Sequence, residues 1–202
     1  QSGKSCAQNG KKVLKPPPPK NMESQHVENY WNHYGDSEDR YDNEIASSID
    51  EDISLIIKTH LTMEAKKMIE LHSKNGNVIN ICDYGCGPGK WLQKINNAFK
   101  YYDNKKIYGM DVSQNLVNLA KNILPSAHVE RANLEVLSEV QNVIERSKID
   151  FGVCANVLIA AETNARRKIL SNISKTRTGC ICKQTRISSR TDLSWTEIPL
   201  TI

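Results

Sequence analysis

The chain has 202 residues, 39% of them hydrophobic and 25% charged, which fits one water-facing globular domain with a real core. No apolar run approaches the length of a membrane span and no secretory leader is visible, so the expected compartment is the cytoplasm. The formal net charge of +4 is uneven: the first twenty residues hold Lys4, Lys11, Lys12, Lys15 and Lys20 with no acid, and the remainder has 22 basic against 23 acidic residues.

Residues 1–25 form the first predicted region, a polar, basic tail whose Pro16-Pro17-Pro18-Pro19 tract favours an extended segment with no core to join. Such a tail touches nucleic acid or an anionic surface, or is a disordered leader. An aromatic cluster, Tyr30-Trp31-Asn32-His33-Tyr34, comes next. Then Asp36 to Asp52 carries eight acids with Arg40 as the one base. From Ile53 the pattern turns helical, with Ile53, Ile56, Ile57, Leu61, Ala65, Met68 and Ile69 on one face, and Gly76 ends it.

Strands and helices then alternate. Val78 to Cys82 reads as a strand, and the helix after it carries Trp91, Leu92, Ile95 and Phe99. A second strand, Lys106 to Met110, closes at Asp111. Ser113 is the predicted N-cap of a helix with Leu116, Leu119, Ala120 and Ile123, which Pro125 stops. A short strand follows over His128 to Ala132, then a helix with Val136, Leu137, Val140, Val143 and Ile144. Ile149 to Ala155 is the fourth strand. Thr163 or Asn164 is expected to cap a helix with Ala165, Ile169 and Ile173, and Cys180-Ile181-Cys182 is a fifth strand. This alternation predicts an α/β, Rossmann-like, doubly wound, mostly parallel sheet. Ligands in such sheets bind at the carboxyl ends of the strands, where strand order reverses.

One run lies at that place: Asp83-Tyr84-Gly85-Cys86-Gly87-Pro88-Gly89, between the first strand and a helix beginning at Lys90. Glycines at alternate positions let a ligand approach the main chain, and the helix start offers N–H groups. The spacing excludes two familiar devices. A dinucleotide fingerprint requires glycine at the position of Lys90. A P-loop requires Ser or Thr where Trp91 stands and glycine where Tyr84 stands. The second anchor is Asp111, 22 residues after Gly89. A carboxylate there can accept from both ribose hydroxyls, or serve as a helix-start acid.

The six cysteines offer no zinc spacing, and no histidine pair completes a site, so no metal is expected. Five of them fall on or beside predicted strands and read as small buried hydrophobes in a reducing compartment.

The pattern D-x-G-x-G-x-G resembles motif I of the class I S-adenosylmethionine-dependent methyltransferases, over about Tyr30 to Gly179. The resemblance implies S-adenosylmethionine as cofactor and a strand order of 3-2-1-4-5. It implies that Asp83, Tyr84, Gly85, Cys86, Gly87 and Gly89 wrap the methionine end, with Asp83 near its charged portion. Asp111 and Val112 then meet the ribose. Asn133, in the usual place of an acid, would accept from the adenine amino group or cap the next helix, and Leu134 would lie against the adenine face. Asn156 would border cofactor or substrate. It begins Asn156-Val157-Leu158-Ile159, which resembles the post-strand segment of small-molecule methyltransferases. It lacks the Asn/Asp-Pro-Pro-Tyr/Phe motif of adenine or glutamine amide methylation. The aromatic cluster could form a lid or pack as an ordinary helix. No catalytic base is singled out.

The resemblance fails at the C-terminus. A complete domain adds a helix and an antiparallel strand pair, and only 23 residues follow Gly179. The expectation is a domain over 26–180, a divergent tail over 181–202, strands 6 and 7 missing, and a fragment with an exposed sheet edge open to pairing. The eight basic residues from Arg166 to Arg190, with no acid among them, read as a surface helix and tail or as a nucleic-acid surface. The leading function is methyl transfer to a small-molecule acceptor. The alternatives are a non-catalytic methyltransferase-like binding module and a nucleotide-binding oxidoreductase.

Overall fold

Period-two alternation decides how the central strand is used. Ile79 and Ile81 point to one face of the sheet and Cys82 and Tyr84 to the other, and all four are buried. A strand buried on both faces sits in the middle of a doubly covered sheet. In the computed structural model, which describes residues 24–34, 63–155, 157–177, 180–185 and 193–198, this strand pairs in parallel on both sides.

The described elements run α1 (Ser24–Tyr34), α2 (Met63–Asn75), β1 (Ile79–Tyr84), α3 (Lys90–Ala98), β2 (Lys105–Asp111), α4 (Gln114–Ile123) and β3 (His128–Arg131). They continue with α5 (Leu137–Ser147), β4 (Phe151–Ala155), α6 (Val157–Ala160), α7 (Thr163–Ile173), β5 (Cys180–Thr185) and β6 (Leu193–Ile198). The strand order is β3-β2-β1-β4-β5-β6, and the first five are parallel. The expected order 3-2-1-4-5 is therefore present, and with it the Rossmann-like doubly wound fold. The basic tail before Ser24, the acidic stretch and the helical pattern from Ile53 to Leu61 lie outside the described residues.

Each face of the sheet has its own core. On one, Ile69, Trp91, Leu92, Ile95 and Val117 from α2, α3 and α4 close over Ile79, Ile81 and Ile107. On the other, Val140 and Ile144 of α5 and Ile169 and Ile173 of α7 close over Tyr84, Met110 and Cys154. Cys82, Cys180 and Cys182 fill the second core as small apolar groups, as the sequence predicts. The Tyr84 hydroxyl donates to Thr176 Oγ1, since the Thr176 hydroxyl is itself committed to the Ile173 carbonyl at 2.7 Å. Among the described residues no helix is long and apolar enough to cross a membrane.

The end of the sheet corrects the sequence reading. Of the two C-terminal strands expected to be missing, one is present: β6 pairs antiparallel with all of β5, from Cys180 opposite Ile198 to Thr185 opposite Leu193. The reading looked for a helix before any further strand. An antiparallel neighbour needs only a hairpin, and the connection here is residues 186–192. Among the described residues the edge strand on this side of the sheet is thus β6, not β5. A smaller correction concerns α7, whose N-cap is Glu162, one residue before the predicted Thr163 or Asn164, without a side-chain capping bond.

Gly152 on β4 tests the packing of the second core. A Cβ there would lie 2.4 Å from Tyr84 Cε2 and 3.1 Å from Cys180 Sγ, with the tyrosine anchored at its hydroxyl. Gly152→Ala is expected to lower the unfolding free energy by about 1–3 kcal/mol in urea denaturation.

Candidate binding site at the carboxyl ends of β1 and β2

The glycine loop leaves β1 through three residues with positive φ: Gly85 at 76°, Gly87 at 53° and Gly89 at 95°. Side-chain residues rarely adopt that conformation. The structure adds a second reason at two of them. A Cβ on Gly85 would fall 2.1 Å from Val157 Cγ2 of α6, and one on Gly89 would fall 2.9 Å from Ala120 Cα of α4. These two glycines let neighbouring helices close in, a role that motif spacing does not reveal.

The loop amides are largely spent inside the protein. Gly85 N and Cys86 N both donate to the Met110 carbonyl, at 2.8 and 2.9 Å, and Gly89 N donates to the Cys86 carbonyl at 3.0 Å. Gly87 N donates to Asp111 Oδ2 at 2.9 Å. The sequence argument treats the loop as a set of donors aimed at a ligand. The geometry instead makes it a rigid turn hung on the end of β2, flanked by two carboxylates.

Asp83, the last but one residue of β1, is 1% exposed, and neither carboxyl oxygen has a hydrogen-bond partner among the described residues. Burial, reinforced by the negative charge of Asp111, pushes its pKa up to about 8. Asp111 is also buried but well served. Its Oδ1 accepts from Ser113 N at 2.9 Å and its Oδ2 from Gly87 N. Burial raises it to about 6, with the backbone donors of Ser113, Gly87 and Val112 pulling the other way. A carboxylate has about four acceptor positions, so with three backbone donors the Asp111 carboxyl still has room for an incoming hydroxyl. Such a site suits a ligand with a positive charge near Asp83 and hydroxyls near Asp111, and it does not suit a phosphate.

The other expected residues are placed as follows. Tyr84 contributes backbone to the loop while its ring points into the second core. The Cys86 thiol is buried and packs in the first core. Val112 is half-buried between Asp111 and Ser113. Asn133 makes a local turn: its Oδ1 accepts from Glu135 N at 3.0 Å, and its own N–H goes to Glu139 Oε2 at 2.8 Å. Leu134 is buried in the second core, and its carbonyl accepts from Asn172 Nδ2 at 2.8 Å. Asn156 lies outside the described residues.

Polar contacts from α1 reach this end of the sheet. Asn32 Oδ1 accepts from the Ser113 hydroxyl at 2.8 Å and from Asn115 N at 3.4 Å, and the Asn32 carbonyl accepts from Asn115 Nδ2 at 3.0 Å. Glu28 makes a two-pronged ion pair with Arg131 at the end of β3. The aromatic cluster considered as a lid does form a helix that reaches this place, and its polar residues make these ties. Tyr30 and Trp31 meet edge to face at 5.2 Å, and His33 is exposed. Asn32 and Ser113 are 81 positions apart, so no local pattern announces the contact.

Comparison with known proteins gives the arrangement a relationship. Residues 81–177 match a methyltransferase-domain family model. No curated protein matches the chain by sequence. Among solved structures, a SAM-dependent methyltransferase from Anabaena variabilis is 12% identical, with a TM-score of 0.56 over 87% of this chain and 66% of that one. The methyltransferase domain of bacterial CtHen1 is 17% identical, with a TM-score of 0.43 over 59% of this chain and 63% of that one. SAM-bound CalS10, an amino pentose methyltransferase from Micromonospora echinaspora, is 14% identical, with a TM-score of 0.42 over 62% of this chain and 50% of that one. At these identities the likeness is one of fold, carried by the Anabaena structure. The chain spans about two-thirds or less of the length of each.

The orphaned carboxyl of Asp83 has a measurable cost. Its pKa is about 8 in the folded chain against an ordinary 3.8, so the fold holds a proton there that the unfolded chain releases. The stability this proton carries is complete below pH ~4 and is lost as pH rises through about 8. Asp83→Asn removes the titration. The melting-temperature difference between variant and parent is expected to shift in the variant's favour from pH 4 to 8, by several degrees, and to be constant above.

Proposed function

We propose that residues 81–177, which match a methyltransferase-domain family model, form a class I S-adenosylmethionine-dependent methyltransferase domain, and that the chain transfers the methyl group to a small-molecule acceptor. The observation that carries the cofactor assignment in this chain is the buried, unpartnered carboxyl of Asp83 beside a loop whose amides are already bonded. A site of that kind asks for a cation.

The residues divide the cofactor between them. Gly85, Cys86, Gly87 and Gly89, with the backbone of Tyr84, border the methionine end, and Asp83 pairs with its positive charge. Asp111 accepts from the ribose on the carboxylate capacity its backbone donors leave open. Val112 flanks the ribose. Asn133 and Leu134 border the adenine through the turn that follows β3.

When bound, S-adenosylmethionine supplies a methyl group on a sulfonium, an electrophile that is already activated. The chain's own contribution is geometric. The loop, fixed at Met110 and Asp111, holds one reactant still, and alignment of the second against it supplies the rate enhancement. A general base is required only for an acceptor that must lose a proton. The small-molecule class is supported by the segment after β4, Asn156-Val157-Leu158-Ile159, which lacks the Pro-Pro motif of amide and adenine methylation. A second reading, cofactor binding without turnover, is favoured by one observation. The family match ends at residue 177, before β5 and its hairpin partner.

Titration with S-adenosylhomocysteine is expected to raise the melting temperature, and NAD is expected to leave it unchanged. Asp111→Asn is expected to weaken binding by about 10–100-fold, the loss of one or two hydrogen bonds to a charged group. Incubation of a cell extract with labelled S-adenosylmethionine then separates the readings. Label in the dialysable fraction supports a small acceptor, label in the retained fraction moves the acceptor to a macromolecule, and no label with intact binding leaves the module without turnover.

A further inference from the structure

A continuous hydrogen-bond path leads from α1 to the glycine loop. The Asn32 amide oxygen accepts from the Ser113 hydroxyl at 2.8 Å. The Ser113 Oγ in turn accepts from Leu116 N at 3.2 Å, capping α4, and Ser113 N donates to Asp111 Oδ1 at 2.9 Å. The other oxygen of Asp111 holds Gly87 N. Asn32 also takes two donors from Asn115, one through its side chain and one through its carbonyl. The first turn of α4 is therefore held by an acceptor from a helix 81 positions away as well as by its own cap.

We infer that Asn32 is a positioning residue for the ribose, acting through Ser113 on the orientation of the Asp111 carboxylate. The inference rests on the cofactor reading given above. The orientation of Asp111 depends on two donors. One, Gly87 N, belongs to a loop that is itself hung on β2. The other, Ser113 N, is as steady as the Ser113 side chain. That hydroxyl has one proton and needs one acceptor for it, and Asn32 Oδ1 supplies it. Without Asn32 the Ser113 hydroxyl and Asn115 N must find other acceptors, and the first turn of α4 loosens. Asp111 then loses the fixed direction of one oxygen, while the main-chain strand end stays where β1 and β3 pair with it. The second tie, Glu28 to Arg131, anchors the same helix but has no part in this path. The two anchors thus separate a positioning function from simple attachment.

The test uses the full chain, with S-adenosylhomocysteine and its 2′,3′-dideoxy analogue as probes in calorimetric titration. Asn32→Ala is expected to weaken S-adenosylhomocysteine by about tenfold, the scale of one hydrogen bond, and to leave the analogue within about twofold. Asn32→Asp keeps an acceptor at the same reach and is expected to restore the parent ratio between the two ligands. Glu28→Gln is expected to leave that ratio unchanged. Equal weakening of both ligands by Asn32→Ala would reduce Asn32 to an attachment point and overturn the inference, as would no effect on either. If Asn32→Ala does not fold, Asn32→Ser, whose shorter side chain breaks the path at the same point, gives the same comparison. Failure of the parent chain to bind S-adenosylhomocysteine overturns the cofactor reading itself, an outcome distinct from a parent that binds and a variant that binds equally well.

Discussion

One carboxylate ties together three segments that are distant in sequence. Asp111 Oδ2 holds the glycine loop at Gly87, and Oδ1 holds the start of α4 at Ser113. Its main-chain carbonyl takes Ala132 N at 2.9 Å, where the chain leaves β3. Burying the group is costly, and its raised pKa expresses that cost. Hydrogen bonds to a charged acceptor contribute about 1.5–3 kcal/mol each, enough to keep it in place. Loop, helix start and strand end therefore share a single point, and the candidate site is organised around it.

Asp83 shows the opposite policy a few residues away. The alternation of β1 sends Tyr84 into the second core, where its ring and hydroxyl are fully used, and sends its neighbour Asp83 to the other face, where no described residue bonds its carboxyl. A buried polar atom without a partner calls for an explanation, and in a ligand-binding fold the usual one is that stability has been exchanged for affinity. The pair of carboxylates also explains why the loop is saturated with internal bonds. A turn that donated its amides outward would attract anions to a place where two acids already stand.

Much of this was legible beforehand because it is local. Strands of β-branched and apolar residues between Gly and Asn turns, the Ser113 cap and the spacing of Gly85, Gly87 and Gly89 each depend on a handful of neighbours. The Ser113 cap and the parallel order of five strands followed directly. What escaped was non-local. The pairing of Asn32 with Ser113 and Asn115, and the packing of Val157 over Gly85, join residues that no periodicity connects. The missed β6 has a different cause. Its sequence, Leu193-Ser194-Trp195-Thr196-Glu197-Ile198, has ordinary strand character, but the family pattern places a helix before the next strand and so does not announce a hairpin here.

The attachment of α1 falls on one end of the sheet. Among the described residues the two buried cores draw on no α1 residue, and the ties of the helix include the hydrogen bonds of Asn32 and an ion pair whose arginine side chain is 40% exposed. An exposed pair of this type contributes about 0.2–1 kcal/mol. Lifting α1 therefore leaves the pairing of β1, β2 and β3 in place but takes the acceptor from the Ser113 hydroxyl, so its effect is confined to the start of α4 and the carboxylate that Ser113 orients.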